Sequence, residues 1–224
     1  MNNLDFNAGY VCGALCSDGC IVFSKKFGNY CISLETKDLD FALLFKSRLY
    51  EVTGKEPSLN KRKRKYKDYE HFTHVVTLWG KDIIKNFIKK YNLVTGPLSW
   101  HVPKIAYDDE IFRKGFLQGF FDGSGHIRLR LRKHKDEHFQ KCRTLRITSV
   151  NETGINEIKK LLELEGVNSV IYSNGSSFIL EIDGLNRVSA FVKKINFGIK
   201  RKKELAEAFL DPVKFDKIIK ENHT

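Results

Sequence analysis

The chain has no run of apolar residues approaching the roughly 20 that a membrane-spanning helix requires. Its opening residues, Met1 to Asn7, are polar and carry no basic stretch leading into an apolar one, so they do not read as a secretory leader. The expected compartment is therefore cytoplasmic, or an equivalent reducing space, with no membrane partner. Cysteine is scarce and odd in number: Cys12, Cys16, Cys20, Cys31 and Cys142. Free thiols are a simpler reading than a disulfide framework. A zinc site is disfavoured too. Cys12, Cys16 and Cys20 recur at one spacing, but no second ligand pair follows, and neither His71 with His74 nor His134 with His138 completes a finger. The regular cysteines read as small apolar fillers on a buried helix face.

Positive charge is what the chain has in excess. A net charge of +12 and a pI near 9.4 point to a polyanionic partner, nucleic acid ahead of an acidic membrane. Composition alone also fits a basic protein whose lysines only solvate it, so the distribution of charge has to decide. The hydrophobic fraction of 42% and aromatic fraction of 12% place the chain among folded globular proteins.

The order of residues shows an internal repeat. Gly9 to Gly19 (GYVCGALCSDG) is echoed by Gly115 to Gly125 (GFLQGFFDGSG), with three glycines at one offset. Phe87 to Asn92 (FIKKYN) is echoed by Phe191 to Asn196 (FVKKIN), each a few residues past a glycine, Gly80 or Gly184. Between these blocks lie two amphipathic helical stretches, Asp38 to Val52 and Glu152 to Leu164, closed by Gly54 and Gly166. Such a repeat is a tandem duplication. Each copy reads as helix, two strands, helix, two strands, helix. The expected strands are about 21–24, 30–35, 59–66 and 72–78, then 126–132, 143–150, 169–172 and 178–182. The expected organisation is a first subdomain over 1–96, a connector over 97–109 holding Pro97 and Pro103, a second subdomain over 110–198, and a basic helical tail over 199–224 broken at Pro212.

In each motif helix two glycines stand four apart, Gly9 with Gly13 and Gly115 with Gly119. That spacing puts both on one helix face, where the missing side chains let two backbones approach. The two motif helices are therefore expected to pack on each other and join the copies. A terminal glycine, Gly19 or Gly125, then turns each helix into a strand. The residue before it sits at the same end of both helices: Asp18 in the first copy, Ser124 in the second.

GALCSDG and GFFDGSG, about a hundred residues apart and each followed by the same order of elements, resemble the two motifs of the single-chain LAGLIDADG homing endonucleases. The stretch Phe116 to Gly125 is particularly close to the family's second motif, and the resemblance covers nearly the whole chain. It implies an α+β fold: two pseudo-symmetric αββαββα subdomains packed through their motif helices, with antiparallel sheets forming a DNA-binding saddle. It also implies a monomeric, site-specific endonuclease that hydrolyses phosphodiester bonds in a long asymmetric double-stranded DNA target, with intron RNA as a further partner the family allows. In that family the next-to-last motif position carries an acid in each copy, and the pair holds Mg2+ or another divalent cation such as Mn2+. Hydrolysis of a phosphodiester needs such an ion to activate water and neutralise the leaving oxygen.

Asp18 matches the acidic position, whereas Ser124 is neutral and a much poorer ligand. The backbone carbonyl of Gly123 is the remaining candidate metal ligand there. Asp122 lies two residues back, about 200° around the helix, and reads as a structural carboxylate near the helix end. Because of Ser124, a strand-specific nickase and a protein that binds without cutting (an intron maturase or a repressor) both remain open. By analogy with the family's phosphate-stabilising bases, Lys104 and Lys200 are candidate catalytic cations, and Lys37 is a further basic candidate.

Two strands carry the basic character. His126 to Arg132 alternates strictly, with Ile127, Leu129 and Leu131 on one face and Arg128, Arg130 and Arg132 on the other. An arginine row on a half-buried strand suits a sheet laid in a DNA major groove. The run Lys61, Arg62, Lys63, Arg64, Lys65 in the third strand favours phosphate contact. Ser33, Glu35, Arg146 and Thr148 are further candidate contacts on the second strand of each copy, while Trp79 and Trp100 read as core or linker anchors.

Overall fold

A computed structural model describes residues 3–24, 29–66, 69–133, 139–215 and 217. The first copy runs α1 (Asn3–Ser17), β1 (Gly19–Ser24), β2 (Asn29–Thr36), α2 (Leu39–Thr53), β3 (Ser58–Tyr66), β4 (Tyr69–Trp79) and α3 (Lys81–Tyr91). A short α4 (Ile105–Asp108) leads into the second copy. That copy runs α5 (Glu110–Ser124), β5 (His126–Lys133), β6 (Phe139–Ser149), α6 (Glu152–Leu164), β7 (Val170–Asn174), β8 (Ser177–Asp183) and α7 (Leu185–Lys194), and α8 (Lys200–Ala208) follows. Each copy forms a four-stranded antiparallel sheet of the same order, β1-β2-β4-β3 and β5-β6-β8-β7. The αββαββα unit read from the sequence is therefore present twice. β4 and β6 begin earlier than their apolar pattern suggests. Hairpin pairing carries them out to Tyr66 opposite Tyr69 and Lys133 opposite Phe139.

The duplication extends to unusual backbone. Gly54 and Gly166 both take φ 67° behind the middle helices, and Asn92 (φ 46°) and Asn196 (φ 56°) are left-handed at matching places after α3 and α7. A left-handed non-glycine residue is uncommon, so its recurrence at one position marks shared descent of the two copies.

α1 and α5 form the centre. Every residue from Asn7 to Cys16 is buried, so α1 has no solvent face of its own. Cys12 and Cys16 are part of that packing, as the sequence suggests, whereas Cys20 on β1 is exposed. The two helices touch through backbone. A Cβ at Gly9 would lie 2.1 Å from the Phe112 carbonyl oxygen, and one at Gly115 would lie 2.1 Å from that of Phe6. Gly13 meets the Phe116 carbonyl at 2.0 Å and Gly119 meets that of Tyr10 at 2.1 Å. Each contact has its mirror in the other copy. Around this seam stand Phe112, Phe116, Phe120 and Phe121, all buried, with Tyr91 stacked on Phe112 (centroids 5.5 Å) and Trp100 against Phe120 (4.9 Å). Residues 97–109 are thus more than a connector. Trp100, Val102 and Ala106 are buried, and Trp100 packs against Phe120 and Gly154 of the second copy. Trp79 differs from the anchor expected of it: strand alternation puts it on the face of β4 turned away from the core, and it is 54% exposed.

The glycine seam makes a direct prediction. Gly119→Ala places a methyl group inside the van der Waals radius of a helix backbone that cannot move locally, and it should destabilise the fold by about 3 kcal/mol. Urea denaturation followed by tryptophan fluorescence measures this.

Candidate active site between the motif helices

The seam delivers two side chains to one end. At the close of α1 the Asp18 amide donates to the Ala14 carbonyl oxygen (3.1 Å), and Gly19 opens β1. At the close of α5 the Gly125 amide donates to that of Phe121 (2.9 Å), leaving Ser124 as the last helical residue. One turn beyond the glycine contacts, Ser17 faces Gly123. A Cβ on Gly123 would lie 2.1 Å from Ser17 Oγ and 3.2 Å from Asp18 Oδ2, so the Asp18 carboxylate stands beside the end of the opposite helix. Asp18 and Ser124 line one cleft of about 600 Å3, bounded by Thr95, by Trp100 from the connector and by Thr148 and Ser149 from β6. Asp18 sits exposed at this cleft, yet the protein around it desolvates its carboxyl and raises its pKa, against the pull of Lys202 and His126.

Asp122 has a different role. It is buried, outside the cleft lining, and accepts from Tyr10 Oη (2.7 Å) and from the Gly198 amide (3.1 Å). Burial pushes its pKa up to about 6 despite these bonds. It ties α5 to α1 and to the turn before α8, the structural carboxylate the helix geometry implies. Cys16, its counterpart in α1, makes only a thiol contact to the His101 carbonyl oxygen at 3.8 Å.

The basic candidates are dispersed. Lys200 is exposed and pairs with Glu204 at 3.9 Å. Lys104 is exposed at the start of α4, and Lys37 is exposed after β2, beside a depression where Arg201 pairs with Asp38 at 3.2 Å. The cation that reaches the motif helix is Lys202, which the sequence reading passes over. Its ammonium donates to the carbonyl oxygens of Phe121 (3.1 Å), Asp122 and Gly123 (3.2 Å), closing the open end of α5. Burial lowers its pKa to about 8, against the opposing pull of Asp122 and then Asp18. A signal was present: Lys202 shares a face of α8 with Ala206 and with Phe209 just beyond it, all buried, whereas Lys200, Lys203 and Glu204 point outward.

On the sheets, strand parity separates the charges. Leu59 faces the core, so Arg62 and Arg64 lie on the opposite face of β3, together with Glu35 and Thr73. Lys61 lies over the Phe72 ring (4.2 Å), Lys63 pairs with Glu70 (2.6 Å), and Lys65 is exposed. In the second sheet Ile127 packs on the core and Arg128 is exposed, the alternation expected. The side chains of Arg130 and Arg132 lie outside the described residues, as do His134 and His138. Arg146 pairs with Glu181 (3.3 Å) and with the Tyr172 hydroxyl.

The donor set decides what metal the cleft could hold. Among the described residues no three His, Cys, Asp or Glu side chains gather as a cage, and Asp18 is the only acid lining the cleft. The Gly123 carbonyl already accepts from Lys202. One carboxylate beside a hydroxyl suits a hard divalent cation that brings phosphate oxygens with it, the mode Mg2+ favours, and does not suit an ion held by protein alone.

Residues 112–196 match the family described as LAGLIDADG-like domain. The fold of the whole chain is similar to that of the homing endonuclease I-WcaI bound to its DNA recognition sequence, with a TM-score of 0.62 at 16% identity over 88% of this chain and 85% of that one. The match falls within the second copy, and the whole chain shares its fold with that endonuclease. I-DmoI in complex with DNA and Mn is similar as well (TM-score 0.56, 15% identity, 86% of this chain and 97% of that one). Meganuclease I-SmaMI bound to uncleaveable DNA gives a TM-score of 0.58 at 13% identity over 95% and 96%. In sequence, an uncharacterized protein of Methanocaldococcus jannaschii is 26% identical over 206 residues, 90% of this chain and 70% of that protein. Of the two motif helices here, one ends in the acid and the other in serine.

Two measurements test these assignments. Lys202→Met leaves the Asp122 and Gly123 carbonyls without their donor, Phe121 keeping that of Gly125, and removes the cation that favours the Asp122 carboxylate, and should cost about 3 kcal/mol in denaturant unfolding. Glu35 is held at about 2, below its ordinary 4.5, first by its hydrogen bonds from Arg64. A carboxyl lowered on folding stabilises fully above its unfolded pKa and loses that contribution as pH falls toward the folded one. The melting-temperature gap between wild type and Glu35→Gln should therefore narrow from pH 5 down to pH 2, and a constant gap would show that the pairing does not matter.

Proposed function

We propose that the protein is a site-specific DNA endonuclease that requires a divalent cation and whose two half-sites are unequal. The observation that carries this reading is the shared cleft. A packed pair of helix ends presents the Asp18 carboxylate and the Ser124 hydroxyl together, where two sheets with arginine-bearing outer faces adjoin. The comparisons support it, since the solved relatives named above are homing endonucleases and meganucleases in complex with DNA. A cation bound beside Asp18 would supply activated water and charge neutralisation at the phosphate. Asp18 would hold it through its carboxylate. Ser124, lacking charge, orients phosphate by donating its hydroxyl hydrogen. Lys202 keeps the end of α5 fixed and adds positive potential without touching the substrate, because its three N–H donors are already taken by carbonyls. Two unlike contact faces on one chain suit an asymmetric duplex read by a monomer.

The test begins with a duplex site recovered by selection from a randomised library and placed in a supercoiled plasmid. With Mg2+, the wild type should accumulate nicked circles ahead of linear product, and Ser124→Asp should raise the linear fraction. Asp18→Asn should lower cleavage at least about a hundredfold, as removing the one acid among the described residues lining the cleft forfeits several kcal/mol of transition-state stabilisation. Tight binding without any cut strand in the wild type would instead establish a binding module on the same scaffold.

A further inference from the structure

The outer face of the first sheet holds a carboxylate surrounded by cations. Arg64 donates to Glu35 through Nε (2.7 Å, to Oε1) and Nη2 (2.5 Å, to Oε2), Arg62 donates through Nη1 (3.0 Å, to Oε2), and Thr73 donates its hydroxyl hydrogen to Oε1 (2.7 Å). Four donors fill the roughly four lone-pair sites of a carboxylate. Glu35 therefore has no acceptor left for a base or a metal ion, which removes it from the direct contacts the sequence suggests. Nor is its role simply stability. The two arginines are about half exposed (side chains 52% and 49%), and exposed ion pairs contribute about 0–1 kcal/mol.

The donors left over show what the arrangement can do. A guanidinium has five N–H groups on a rigid plane. Arg64 spends its Nε–Nη2 edge on Glu35 and keeps the Nη1–Nη2 edge, whereas Arg62 spends Nη1 and keeps the Nε–Nη2 edge. Each arginine is thus fixed with one complete two-donor edge unused. A two-donor edge matches O6 and N7 of guanine in the major groove and matches no other base in that groove as well. A mobile arginine would serve phosphates equally, so immobilising it turns a general anion contact into a base-reading one. The second sheet repeats the device with other residues: Arg146 is held by Glu181, which also accepts from the Tyr172 hydroxyl at 3.0 Å.

We propose that Glu35 is a specificity-determining residue, clamping Arg62 and Arg64 so that their free edges read guanine in the duplex facing the first sheet. The proposal rests on the DNA-binding reading above, though not on cleavage.

The full chain, in buffer with EDTA, is used to select from a randomised duplex library. Fluorescence anisotropy then measures binding to the selected duplex, to versions with each guanine replaced, and to random duplex, for wild type, Glu35→Gln, Thr73→Val and Arg64→Lys. In the wild type, replacing a guanine in the part of the site sensitive to Arg64→Lys should weaken binding about tenfold or more. In Glu35→Gln that discrimination should fall to about twofold while binding to random duplex tightens, because freed arginines and one lost negative charge favour phosphates. Thr73→Val, which removes one leg of the clamp and keeps the side-chain shape, should lose part of the discrimination. Unchanged guanine discrimination in Glu35→Gln overturns the proposal alone, as does a selected site with no guanine that matters to Arg64. A wild type that enriches no sequence overturns the DNA reading and the proposal with it.

Discussion

Two helix backbones in direct contact hold this molecule together. Four glycines, two per motif helix, bring the carbonyl of one helix to where a Cβ of the other would stand. Side-chain packing elsewhere in the core tolerates some exchange, but backbone against backbone leaves no soft atom to yield. The separation and relative rotation of the two copies follow from that contact. So does the meeting of Asp18 with the end of α5, and so does the spacing of the two sheets that follow each helix. A cleft between two chain segments a hundred residues apart needs such a rigid reference, since reacting groups must be held to fractions of an ångström.

Around this symmetric seam the copies have become unlike where chemistry would occur. α1 ends in an acid at an open cleft, and its inner position is a buried thiol. α5 ends in a neutral serine, and its inner position is a buried carboxylate bonded to Tyr10 and the turn before α8. A lysine from α8 then seals the α5 terminus, placing positive charge on the side that lacks the acid. Symmetry is thus kept where backbones touch and given up where side chains act. The sheets follow the same rule. Strand order is identical, but one outer face gathers two arginines on a single glutamate, and the other pairs one arginine with a glutamate and a tyrosine.

Much of this was legible in residue order, for physical reasons. Glycines at a spacing of four report a helix face, and alternation in β5 reports a sheet face, because both periodicities are local consequences of backbone geometry. The duplication supplied the long-range pairing that one sequence ordinarily lacks: two copies of a close-approach motif have an obvious partner in each other. What stayed illegible depends on contacts between segments with no common period. Lys202 stood among four basic residues, and only the apolar spacing of α8 set it apart from the exposed Lys200. Glu35 looked like a surface acid, and nothing local shows that two arginines from β3 and a threonine from β4 converge on it. Trp79 read as an anchor because tryptophan usually is one, yet its parity on β4 left it outside.

The bond between Tyr10 and Asp122 joins residues 112 positions apart, and Lys202 closes the same helix end from 80 positions further on. During synthesis, α1 leaves the ribosome with residues on all its faces destined for burial and with its true partner not yet made. It must wait, sheltered against its own sheet and α2, until α5 emerges, and the α5 terminus must wait in turn for α8. Contacts of such long sequence separation form late and slowly. Joining two copies into one chain therefore makes the emergence of α8 a checkpoint: the half carrying serine is completed only after that helix has followed it.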